Sequence, residues 1–199
     1  MQERRRAQFR LQKMAEAVSQ RSSDPTRHKC FVSYHVADEV EVSDFIESFG
    51  TAFIPTVVGV TDDDDFVDSD DTDYIMGRIR EEYLANSTVT IVLVGGCTWA
   101  RRFVDWEVYS SLRRYTNYAP SGLLAITLPS VSDDPARQLP DRVAGNVIKT
   151  SEGYARWRKY PSSSDALKGF IQVAFDARAA KEDLIINSRS RKKYNSSCP

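Results

Sequence analysis

The stretch CTWARRFVDWEV, residues 97–108, sets Glu107 directly after Trp106, one to two helical turns past Arg101 and Arg102. Gly95 and Gly96, just upstream, end an apolar run. A half-dry carboxylate can stabilise positive charge growing on a sugar carbon, and arginines beside a helix N-terminus suit a phosphate. In helical projection Val104, Val108 and Leu112 form the core stripe at i, i+4 and i+8. Glu107 falls at the edge of that stripe, one turn from Phe103, while Asp105 and Trp106 face elsewhere. On spacing alone a glutamate there is more often a boundary residue than a catalytic one. The two glycines fit a tight turn or the close approach of a ligand equally well. Thr98 is a reasonable N-cap, which starts the helix near residues 99–101.

The elements that must position this stretch alternate in type. CFVSY (30–34) reads as a short strand, EVEVSDFIESFG (39–50) as a helix stopped by Gly50, and FIPTVVGV (53–60) as a second strand. DYIMGRIREEYLAN has helical spacing at Ile75, Ile79, Tyr83 and Leu84, and TVTIVLVGG (88–96) is a β-branched run expected at the centre of a sheet. After the Glu107 helix come GLLAITL (122–128), a weak strand at NVIK (146–149) and an amphipathic helix over 164–180. Five strands separated by helices predict an α/β fold, a flavodoxin-like doubly wound parallel sheet of order 2-1-3-4-5. Its switch point lies between strands one and three, where ligands collect at the carboxyl ends. Those ends are Ser33 to His35 and Gly95 to Thr98, so the Glu107 helix begins where such a sheet is expected to bind something.

Around this domain, expected over 28–180, residues 1–27 read as an extension outside it, helical or disordered, and 181–199 as a flexible polar tail. The arginines of the extension suit either an acidic surface or a solvated face, the second being commoner. With 27 Lys and Arg against 28 Asp and Glu there is no basic field to gather nucleic acid. No apolar run spans a bilayer, and no leader-like segment follows the start, so no membrane partner and a cytoplasmic location are expected. Three scattered cysteines, Cys30, Cys97 and Cys198, predict no disulfide framework, and two histidines argue against a metal site. The acidic segment 61–73, TDDDDFVDSDDTD, lacks the spacing of a calcium loop and reads as a solvated or cation-binding face more than a catalytic one. SEGYARWRKYP (151–161), mixing aromatics with cations, fits an interface or aromatics packed under a loop equally well.

CFVSYH followed by STVTIVLVGGCTWARRFVDWEV resembles the TIR-like domain of the B component of the Thoeris anti-phage defence system, a branch of the Toll/interleukin-receptor superfamily. The resemblance covers roughly residues 29–128. It implies the flavodoxin-like fold and an activity on NAD in which Glu107, by its place in FVDWE, is the required glutamate. Phe103 stands where the family commonly has Trp, which keeps an aromatic. Ser33 and Tyr34 are then candidates for lining the ribose or nicotinamide pocket. Gly96, Thr98, Arg101, Arg102 and Phe103 complete the expected substrate-binding set, with Trp99 as a cover for the cleft. NAD enters as substrate and no cofactor is expected. The resemblance further implies a cyclic ADP-ribose isomer as messenger to a separate effector; a phage-derived activator protein and a homo-oligomer are compatible with it and are left open by the sequence.

Two other readings compete. In one the chain is a non-catalytic TIR-like interaction module and Glu107 merely solvates an edge; a deep pocket at Glu107 with Ser33 or Tyr34 would argue against it. In the other it is a nucleoside deoxyribosyltransferase-like enzyme, blind to a pyrophosphate. A phospho-receiver domain is excluded by glycines where its aspartate belongs, a Rossmann domain by the absence of GxGxxG after the first strand, and a serine hydrolase by the absence of GxSxG.

Overall fold

The computed structural model describes residues 2–147 and 153–198, and the side chains from Arg5 onward. Five parallel strands, β1 (Lys29–Ser33), β2 (Ile54–Thr56), β3 (Val89–Val94), β4 (Gly122–Thr127) and β5 (Arg156–Arg158), form one sheet of order β2-β1-β3-β4-β5. The order is the expected flavodoxin-like one. β3 and β4 are buried at every residue, as continuous apolar strands at the centre of a two-sided sheet must be. Among the described residues six α-helices flank them: α1 (Gln2–Ser19), α2 (Glu39–Phe49), α3 (Thr72–Ile79), α4 (Arg102–Ser111), α5 (Asp141–Asn146) and α6 (Ser164–Ala180). Alternation along each strand divides the core. Cys30, Val32, Ile91 and Leu93 meet α1, α2 and α6 on one face; Phe31, Val92 and Val94 meet α3, α4 and α5 on the other.

The structure corrects several expectations. First, the fifth strand is Arg156–Arg158 and not 146–149: Asn146 ends α5, and residues 148–149 lie outside the described residues. The aromatics of 153–161 are accordingly packed. Tyr154 is fully buried and donates to the Ser121 carbonyl, Trp157 donates to Thr127, and Tyr160 stands edge-on to Phe45 and Phe49. Second, β2 covers only three residues, and 57–61 continues as irregular chain across the carboxyl end of the sheet.

Third, α1 lies against α2 and β2 and buries Leu11, Ala15 and Val18, so this part of the expected extension contributes to the core. Fourth, the segment after α6 is fastened along α4 in the opposite direction. Asn187 donates to the Tyr109 carbonyl, the Lys192 amide to Asp105, the Trp106 indole to the Lys192 carbonyl, and the Ser196 amide to the Ala100 carbonyl. Arg142 donates to Asn187 and to the carbonyls of Arg189 and Ser190. Cys198 ends the strap in a disulfide with Cys97, against the expectation of none; the tail's return to β3 brings together two cysteines 101 positions apart. Among the described residues no helix is long and apolar enough to cross a membrane.

Candidate functional site

The site gathers at the carboxyl ends of β1 and β3. α4 starts at Arg102, later than the 99–101 expected from a Thr98 cap, because 98–100 closes a separate 3-10 turn. Its first amide is satisfied by the Asn195 side chain from the C-terminal strap. Thr98 has another duty. Its hydroxyl accepts from the Gly95 amide and reaches Asp38 Oδ2 at 3.2 Å, joining the loop after β3 to the turn after β1.

Glu107 lies more deeply than its place on the helix projection suggests, at 5% exposure. Ser33 Oγ at the end of β1 donates to Glu107 Oε2 at 2.6 Å, and the Val60 backbone N–H donates to Oε1 at 3.0 Å. These two hydrogen bonds fix the rotamer of the carboxylate. The 57–61 chain therefore closes directly over the carboxylate. Gly59 is required there, since a Cβ would stand 2.2 Å from Glu107 Oε1.

Gly95 is explained the same way: a Cβ would lie 2.3 Å from Asp38 Oδ2. Asp38 thus approaches the backbone at the switch point, and neither glycine of the diglycine has positive φ. Burial raises the Asp38 pKa; the Thr98 hydrogen bond and Arg101 lower it, and Glu41 adds to the rise. Asp38 is a carboxylate of this crevice that sequence reasoning missed, although it closes the SYHVAD segment that leaves β1.

The remaining expected residues divide. Ser33 joins Glu107; Tyr34 is 9% exposed and packs into the α2 face of the core. Phe103 is buried and edge-on to Trp106 at 5.5 Å. Gly96 is exposed, and Trp99 is half-buried with Lys192 over its ring. Arg101 Nε donates to the Cys97 carbonyl. Arg102 is paired with Asp62 at 2.5 Å and lies over the rings of Phe103 and Trp106. Both guanidinium groups hold loops in this structure.

The acidic segment is explained by its partners. Asp62 meets Arg102, Asp64 meets Arg5 of α1, and Asp65 meets Arg78 of α3. Asp64 also caps its own turn through the Thr61 amide and accepts from Tyr83 Oη. Three arginines from three helices thus pin a loop that continues directly from the chain over Glu107. One of them, Arg5, comes from the segment whose arginines were expected either to meet an acidic surface or to stay solvated.

The comparison with curated proteins found no match. The family model described as "Thoeris protein ThsB, TIR-like domain" matches residues 31–133, a span that begins in β1, takes in Ser33, Asp38, the acidic loop and Glu107, and covers just over half of the chain. With that match and the sheet order in agreement, the chain belongs to the TIR-like domain family of the Thoeris protein ThsB.

Proposed function

We propose that this protein cleaves the nicotinamide glycosidic bond of NAD and joins the ADP-ribosyl product to itself as a cyclic messenger for a separate effector. The observation that carries the reading is Glu107, oriented by the Ser33 hydroxyl at the switch point of the sheet. NAD already carries a pyridinium leaving group, so nicotinamide departs neutral and needs no general acid. One carboxylate is enough, where a glycosidase with an oxygen leaving group needs two. Glu107 would hold the ribose hydroxyls and stabilise the oxocarbenium-like charge as the bond breaks. Capture by a nucleophile within the same molecule outruns water when the site is dry and the acceptor is held close. A phage-derived protein is the expected activator, and assembly of several copies is compatible with the reading.

The test is nucleotide profiling by mass spectrometry of bacteria carrying the protein, with and without phage, beside Glu107→Gln. A cyclic ADP-ribose isomer that appears on challenge and vanishes in the variant is the expected result.

A second reading, a non-catalytic interaction module, is favoured by the 5% exposure of Glu107 beneath residues 57–61. It predicts that the variant still protects cells with an unchanged nucleotide profile.

A further inference from the structure

The two readings differ on whether the chain over Glu107 ever lifts, and the contacts of that chain are unevenly distributed. Val60 is bonded to Glu107 from below. From α1, Gln12 accepts from the Val57 amide at 2.8 Å, and Arg5 engages the segment at three points: its Nη1 donates to the Gly59 carbonyl at 3.0 Å, and its Nη2 donates to Thr61 Oγ1 and Asp64 Oδ1, each at 2.7 Å. The Gly59 and Thr61 acceptors flank Val60, and Asp64 lies four residues further on. Arg5 also lies over the Tyr83 ring, whose hydroxyl donates to the same Asp64. The ion pair is well covered, with 20% and 9% exposure of its two side chains. A guanidinium with five donors in a fixed plane is suited to gripping a carbonyl, a hydroxyl and a carboxylate at once.

Arg5 belongs to α1, whose packing along Leu11, Ala15 and Val18 rests on α2 and β2 and requires nothing from Arg5. The grip can therefore be released while the helix stays seated. We propose that Arg5 is a latch that holds residues 59–64 shut over Glu107, and that a nucleotide reaches the carboxylate only when this latch lets go. The proposal rests on the NAD-cleavage reading for its enzymatic consequence and on the contacts alone for its structural one. It gives the acidic loop a role: Asp64 is the catch and Arg5 the bolt, while Arg102 and Arg78 hold the loop farther along. Arg5 would act through the loop, without touching substrate, and is a positioning residue.

Hydrogen exchange on the full chain separates the parts. Arg5→Gln keeps length and loses charge; Asp64→Asn removes the same ion pair from the loop side. Each is expected to raise exchange across 57–64 about tenfold, the loss of one charged hydrogen-bonded contact, with β1 and β3 still protected. Because both changes break the same ion pair, the double variant should add little to Arg5→Gln. NAD cleavage by the purified protein is expected to rise by a similar factor in all three. Arg5→Lys, which keeps the charge but not the fork, should fall between wild type and Arg5→Gln.

Local loosening without any NAD cleavage, in wild type or variants and with extract of phage-challenged cells added, keeps the latch and removes the NAD reading. Unchanged exchange across 57–64 in Arg5→Gln overturns the latch. So does loosening spread over α1 and the whole sheet, additive single effects, or faster exchange with cleavage present but no faster.

Discussion

Asp105 and Glu107 lie two residues apart on α4, face opposite sides of it and are almost equally buried, at 3% and 5%. Their partners differ. Asp105 receives the buried Arg142 guanidinium at 2.9 and 3.3 Å and the Lys192 amide at 2.8 Å. Arg142 continues into the C-terminal strap, so this carboxylate fastens α4, α5 and the tail together. Glu107 accepts from a serine hydroxyl and from the amide of an irregular loop. A hydroxyl can rotate and a loop can withdraw, whereas a guanidinium enclosed on all sides cannot. One turn of one helix thus carries a carboxylate held by a buried guanidinium and a carboxylate held by a hydroxyl and a loop amide.

The largest expected effect breaks the guanidinium-held member. Asp105→Ala strands Arg142 in the interior and should cost about 3–5 kcal/mol in a denaturant melt, with NAD cleavage per folded molecule retained. Glu107→Gln should give the reverse pattern. Cleavage falls about 10²–10³-fold, the scale for losing a group that stabilises transition-state charge, while the melt shifts by no more than about 1 kcal/mol. Equal losses of stability in the two variants would erase the distinction. Ser33→Ala tests whether orientation matters: one hydrogen bond to a charged acceptor predicts a roughly tenfold fall in cleavage, read as kcat with KM little changed.

The smallest effect concerns pH. Burial raises the Asp38 pKa in the folded state, so the folded protein holds that proton to higher pH than the unfolded chain does. Stability contributed here is present at low pH and declines as pH rises through the folded value. Asp38→Asn should remove that part of the decline in melts taken across the acid range. An unchanged slope would show that Asp38 is already ionised wherever the protein is folded.

Much of this was legible in the sequence because it is written in side-chain pattern. The β-branched run of β3, the helical spacing of α2 and α6 and the strand order follow from periodicity and right-handed connections. Glu107 and Ser33 could be placed together because strand order alone puts the ends of β1 and β3 side by side. β5 escaped because it has three residues, two of them arginines, while the neighbouring Asn146–Val147 looked more strand-like yet closes a helix. The lid escaped because its bond to Glu107 is made by the backbone amide of Val60, which no residue letter encodes. Arg5 and Asp64 escaped for want of any local signal, being 59 positions apart. The strap was lost to its composition: a polar tail reads as solvated until its hydrogen-bond partners on α4 are known.

The disulfide between Cys97 and Cys198 also changes the molecule's connectivity. It closes a covalent ring that contains α4, β4, α5, β5 and α6 and excludes α1, β1, β2 and the acidic loop. A protease that cuts once inside the ring leaves a single molecule on a denaturing gel until a reductant is added. One that cuts once in the acidic loop yields two separate fragments at once. Mapping nicks with and without reductant therefore divides the chain into a tied half, bearing Glu107, and an untied half, bearing its lid.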